Sequence, residues 1–228
     1  RPPYSRHPLG PGLGLALATV AALVIALFVL GAITYAYRRI GIGQGTLFAL
    51  IWLSLLGGFI NIPIAKLRGR VTLGVGEVVA FGVRYRIPIV QRQPATILAV
   101  NLGGAVIPTA LSLYLLIRND LWWQAATAVV FVAALVHVIA RPIPGLGIAV
   151  PALVPPLLAA AAALILSATA AASIAYISGT LGTLIGADLL NLRRLPNLGA
   201  GVASIGGSGT FDGVFLSGII AVLLVAAR

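Results

Sequence analysis

Four acidic side chains are all that this 228-residue chain possesses. Glu77 and Asp120 fall in predicted loops, which leaves Asp188 and Asp212 as the acids set within apolar runs. Burying a carboxylate in lipid costs at least about 2.5–3.5 kcal/mol, so an acid retained there points to a function. Two carboxyl groups held close together cannot both ionise cheaply and share one proton. Such a pair suits hydrolysis, because the ionised member takes a proton from water while the protonated member polarises a scissile carbonyl.

The spacing places both acids at one depth. If Arg193 marks the cytoplasmic edge of its span, Asp188 lies five residues inside it, roughly 7–8 Å at the rise of a helix. If Arg228 marks the opposite edge of the last span, Asp212 is sixteen residues away, about 24 Å, leaving roughly 6 Å to the cytoplasmic side of a core of about 30 Å. Each acid also has an ordinary structural alternative. Asp212 can cap the start of the last helix, and Asp188 can reach toward Arg193 or Arg194.

Other polar residues gather at the same predicted end. Asn61 closes the second span, Asn101 opens the third in Asn101-Leu-Gly-Gly-Ala-Val-Ile-Pro108, and His137 closes the fourth beside Arg141. Individually they suit hydrogen bonds between helices; as a group they mark a polar cavity. Gly179-Thr-Leu-Gly182-Thr-Leu-Ile-Gly186 offers a face of small residues for close helix contact. Gly206-Gly207-Ser-Gly209 leaves backbone open to a substrate. Two acids with His137 make a sparse metal site, and no His-Glu-x-x-His spacing occurs. Neither a metal nor another cofactor is therefore expected.

Composition sets the solvent in which these residues must work. Hydrophobic residues are 60% of the chain and charged residues 8%, against roughly 25% charge in a soluble domain. Lipid is the partner this implies. Cysteine is absent, which removes disulfides and thiolate metal sites. The formal charge of +11 comes from short arginine clusters between apolar runs, the pattern that orients a membrane protein rather than one that binds nucleic acid.

The fold class expected is an all-α polytopic membrane protein of about seven transmembrane helices with a small cytoplasmic β-hairpin. Spans are read near 12–36, 45–65, 95–117, 121–140, 151–168, 170–192 and 205–227. Residues 1–11 read as a polar N-terminal tail and 12–228 as one transmembrane domain. Within it, 69–90 reads as a cytoplasmic hairpin, with Val71, Leu73 and Val75, then Val83, Tyr85 and Ile87, alternating as strands do. Pro88 and Pro94 are expected to end its second strand. The Pro/Gly-rich stretch 141–156 reads as a re-entrant candidate. Eleven of the fifteen basic residues fall on the N-terminal side, which predicts a cytoplasmic N-terminus, an outer C-terminus and residence in a prokaryotic inner membrane.

The segments Val100–Pro108, Pro142–Pro156, Gly182–Asn191 and Ile205–Gly213 resemble a prokaryotic multi-pass membrane family catalogued as a domain of unknown function. A second resemblance is to the presenilin and signal peptide peptidase type of intramembrane aspartyl protease. In that group one aspartate sits on a sixth span and another follows a Gly-x-Gly-Asp motif on the next, as Asp188 follows Gly186-Ala187 and Asp212 follows Gly207-Ser-Gly209. Here Thr210 and Phe211 intervene before Asp212, and Ala187 stands where that group has tyrosine. Pro151-Ala152-Leu153 resembles the group's Pro-Ala-Leu motif, although here it precedes the acids. The resemblance implies peptide-bond hydrolysis in membrane substrates, with Asp188 and Asp212 catalytic and Pro151, Ala152, Leu153, Gly207 and Gly209 positioning a transmembrane peptide. Two other classes remain open: an ion- or proton-coupled transporter or channel using the same acids, and a non-catalytic assembly protein. The oligomeric state is not legible.

Overall fold

The computed structural model describes residues 11–67, 71–80, 83–92, 95–143, 147–197, 201–207 and 213–227. Seven α-helices occur among them: α1 (Pro11–Arg39), α2 (Gln44–Gly57), α3 (Ile107–Arg118), α4 (Trp122–Ile139), α5 (Val154–Leu166), α6 (Ala171–Thr183) and α7 (Gly213–Ala226). Three stretches, Ala18–Arg39, Trp122–Ile139 and Ala171–Leu195, are long and apolar enough to cross a membrane, which suggests membrane association. The third continues α6 through a π-helical turn, Leu184–Asp188, and a 3-10 segment, Leu189–Asn197. The other four are shorter; α2 and α7 have 14 residues each, about 21 Å of helix.

The fold is not all-α. Three apolar runs expected to be continuous spans divide into helix and strand. The chain leaves α2 at Gly57-Gly58 and becomes β1 (Asn61–Leu67). The third expected span begins as β4 (Thr96–Asn101), passes through a π-helical turn at Leu102–Val106, and only then becomes α3. The last likewise begins as β7 (Val202–Ile205), and its helix starts at Gly213 rather than near 205. Short apolar runs rich in Ile and Val satisfy a buried strand and a buried helix equally, so hydropathy alone cannot separate the two. The three strands form one sheet in the order β1-β4-β7, antiparallel between β1 and β4 and parallel between β4 and β7. β1 carries an irregularity at Pro63/Ala65, as an edge strand tolerates.

The expected hairpin is present as β2 (Val71–Ala80) and β3 (Val83–Arg92), paired antiparallel throughout. Pro88 does not end β3 but pairs with Val75 inside it. A two-stranded ribbon points every second amide outward, where proline costs no ladder bond. Pro94 lies outside the described residues. The Pro/Gly-rich stretch folds as a small antiparallel hairpin, β5 (Arg141–Ile143) with β6 (Gly147–Ala149).

The helical core is built around α6, with α3, α4, α5 and α7 packed against it. Glycine sets how close they come. A Cβ on Gly182 would lie 2.7 Å from the Val132 side chain on α4, and one on Gly179 would lie 3.0 Å from the Ser217 carbonyl on α7. The small-residue face read from the sequence is therefore a contact face on two sides. In contrast, α1 is exposed along most of its length, with Phe28 77% and Leu23 60% accessible, and buries Ile33, Ala36 and Tyr37 near its end. A second, smaller apolar cluster of Leu98, Ala105, Leu184, Leu195, Ile205 and Val214 joins the sheet to the ends of α6 and α7.

Candidate functional site

Asp188 is the last residue of the π turn that continues α6. Gly186, two residues earlier, packs on α4 so closely that a Cβ there would sit 2.5 Å from the Ala133 carbonyl oxygen. Asn191, fully buried, donates its side-chain amide to the carbonyls of Gly186 at 3.0 Å and Ala187 at 2.9 Å. The chain changes here from π to 3-10 spacing, which leaves more carbonyls than amide donors, and Asn191 supplies donors from its side chain. Asp188 itself is half-buried, and its Oδ2 accepts a 2.7 Å hydrogen bond from the backbone amide of Gly206. A hydrogen bond of this length ties the π turn that ends α6 to the end of β7.

Gly206 has φ +80° and Gly207 φ +83°, a conformation that favours glycine at both positions. Space demands it as well. A Cβ on Gly206 would lie 2.6 Å from that of Ala105, and one on Gly104 would strike the Gly206 carbonyl. Gly206 is thus enclosed between the two π turns, one carrying Asp188 and the other following β4.

The second turn is held by Asn101, also fully buried. Its Oδ1 accepts from the Gly104 amide at 2.7 Å, and its Nδ2 donates to the Gly58 carbonyl at 2.8 Å and to Asn61 Oδ1 at 3.1 Å. Asn61 lies opposite Asn101 in the β1–β4 register, and Ser204 of β7 donates its hydroxyl to the same Asn61 oxygen. One polar seam therefore runs across the sheet from β1 to β7 and on to the Asp188 carboxylate.

Of the residues singled out from the sequence, Asp188, Gly207, Asn61 and Asn101 meet along this seam. His137 stands on the opposite side of the π turn, with Nδ1 3.2 Å from Asn191 Nδ2. Pro151, Ala152 and Leu153 form an exposed turn ahead of α5; Pro151 lines a groove with Val138, Arg141 and Ile143. Asp212 and Gly209 lie outside the described residues. Ile205 and Gly206 come before them in the chain, and Val214 comes after, in the same apolar cluster as Leu184 and Leu195, which flank Asp188 in sequence. Ser204 and Asn191 are participants that the sequence reading did not assign to the site. Their only signal was a small polar residue alone in an apolar stretch. Among the described residues no group of three or more His, Asp or Glu side chains gathers as a metal site would require.

A family model described as Protein of unknown function (DUF1614) matches residues 55–224. The chain belongs to the DUF1614 family. The matched stretch contains all three strands of the mixed sheet, both π turns, Asp188 and Asp212. No curated protein and no solved structure matches this DUF1614 chain. The family description names no activity, so the likeness to intramembrane aspartyl proteases rests on the sequence motifs alone.

Proposed function

We propose that this DUF1614 protein is an intramembrane aspartyl protease in which Asp188 and Asp212 share a proton and hydrolyse a peptide bond of a membrane-embedded substrate. The observation that carries the reading is the bond from Gly206 to Asp188. It fastens one acid to the residue that opens the glycine-rich sequence leading to the other. Val214, two residues past Asp212, shares an apolar cluster with Leu184, four residues before Asp188, which supports a common depth for both carboxyls.

A helical substrate must unwind before a carboxyl pair can reach its carbonyl. β7 supplies a place for it: among the described residues β7 pairs with β4 on one side and with no strand on the other. An extended peptide can add there by backbone hydrogen bonds, and the strand runs directly into Gly206. The half-exposed polar seam of Asn61, Ser204 and Asp188 gives water a route to the acids. In this reading all seven helices cross or enter the bilayer, the strands completing those too short to span, with the Asp188 end facing the cytoplasm. The substrate is a transmembrane peptide and the surrounding partner is lipid.

Purified protein in detergent, given a fluorescent helical transmembrane peptide, tests this. Cleavage should occur with the native chain and vanish with Asp188→Asn and with Asp212→Asn. Cleavage that persists in either variant ends the proposal. Helices interrupted by strands and π turns also suit an ion pathway; acid-dependent proton flux in proteoliposomes, with no peptide cleavage, would select that reading instead.

A further inference from the structure

We propose that Asn191 is a positioning residue for Asp188 and that the protonation state of His137 sets it; this rests on the catalytic role given to Asp188 above. Asn191 Nδ2 faces three acceptors: the Gly186 carbonyl, the Ala187 carbonyl and His137 Nδ1. Its Oδ1 is buried and has no hydrogen-bond partner. The two carbonyls belong to the residues immediately before Asp188, so this amide fixes the turn from which the carboxylate projects toward Gly206. A neutral imidazole with its proton on Nε2 offers a lone pair at Nδ1 and accepts from the amide. An imidazolium carries a proton on both nitrogens, so two donors then confront each other.

Turning the Asn191 amide over relieves that clash. Its unpartnered Oδ1 accepts from Nδ1–H, and Nδ2 leaves the Gly186 and Ala187 carbonyls. His137 is half-buried, and in this reading the proton reaches it from the cytoplasmic side. The turn before Asp188 loses both side-chain donors and the bond to Gly206 loses its alignment. Protonation of His137 therefore releases what the neutral ring holds. The charged residues on the neighbouring elements are Asp188 at the end of the π turn, Arg193 and Arg194 on the 3-10 segment, and Arg141 four residues on in its own chain. α5 carries no titratable residue, α6 carries Tyr176, and α3 brings Tyr114 and Arg118 at the far end of α4.

The experiment uses the full chain with His7→Ala, which leaves His137 as the single histidine, labelled with nitrogen-15 in His and Asn side chains. Across a pH series, the Asn191 side-chain amide resonance should move with the same midpoint as the His137 ring nitrogens. The neutral ring should be the Nε2–H form with Nδ1 accepting. An Asn191 signal that ignores the His137 titration overturns the proposal, whatever the protein catalyses. In the peptide assay, Asn191→Leu should lower kcat about a hundredfold with KM little changed. His137→Asn, which keeps an acceptor but cannot titrate, should remove the acid-side fall in kcat. A fall that persists in His137→Asn also overturns it. Cleavage that survives Asp188→Asn sinks the catalytic reading alone, and the nitrogen shifts still decide the clamp.

Discussion

Asp188 plays two parts that a pair of substitutions can separate. Its bond to Gly206 needs only an oxygen to accept that amide, and asparagine keeps that oxygen. As half of a proton-sharing pair it needs a titratable carboxyl, which asparagine lacks. An anchor alone predicts that Asp188→Asn behaves like the native chain and Asp188→Ala does not; the catalytic reading predicts that both lose peptide cleavage while only Asp188→Ala loses thermal stability. Asn101 is a purely structural counterpart. Fully buried and bonded to Gly58, Asn61 and Gly104, it should cost about 1–3 kcal/mol when replaced by leucine, seen as a lowered unfolding temperature in detergent. Asp188 was legible in the sequence because an acid in an apolar run is conspicuous. Asn191 and Ser204 were not, since the value of a lone amide or hydroxyl depends on which carbonyl folds against it.

At the level of elements, α4 was readable almost to the residue and α6 at its start, although the span expected over 170–192 leaves α-helical spacing after Thr183. The divided runs were not. Residues 95–117 read as one span, yet the chain is β4, then a π turn, then α3. The reason is local: Asn101 accepts the Gly104 amide at 2.7 Å, a side-chain substitute for the ladder that strand and helix would otherwise compete to form. Glycine substitutions test how tightly these elements meet. Gly182→Val should destabilise by about 1–3 kcal/mol through overpacking, because Val132 already stands 2.7 Å from where a Cβ would go. Gly206→Ala should be at least as damaging, as it meets both a φ of +80° and the Ala105 side chain. Gly45, within α2 with nothing near its missing side chain, is the control; alanine there should stabilise by about 0.5–1 kcal/mol. Equal effects at Gly182 and Gly45 would show that α4 and α6 do not pack as described.

For the whole molecule, the absence of cysteine makes topology and proximity open to measurement with introduced thiols. A seven-crossing path puts the α3–α4 turn and the Arg193–Arg194 segment on opposite sides of the bilayer. A membrane-impermeant maleimide should therefore label Asn119→Cys and Arg194→Cys from opposite faces of oriented vesicles, and labelling of both from one face would remove that path. Membrane character and helical content followed from composition, but the mixed sheet did not, because β4 and β7 pair across more than 100 residues of chain, β1 and β4 pair across the whole intervening hairpin, and long-range pairing leaves no local mark. The proposal as a whole depends on the carboxyls of Asp188 and Asp212 lying within reach of each other. The double variant Asp188→Cys/Asp212→Cys, treated in the membrane with a short thiol cross-linker, measures this directly, with Asn61→Cys/Ser204→Cys as the pair already known to touch. Cross-linking of both pairs to similar extent is expected; a control pair that links while the 188–212 pair stays free would mean the two acids do not form a dyad.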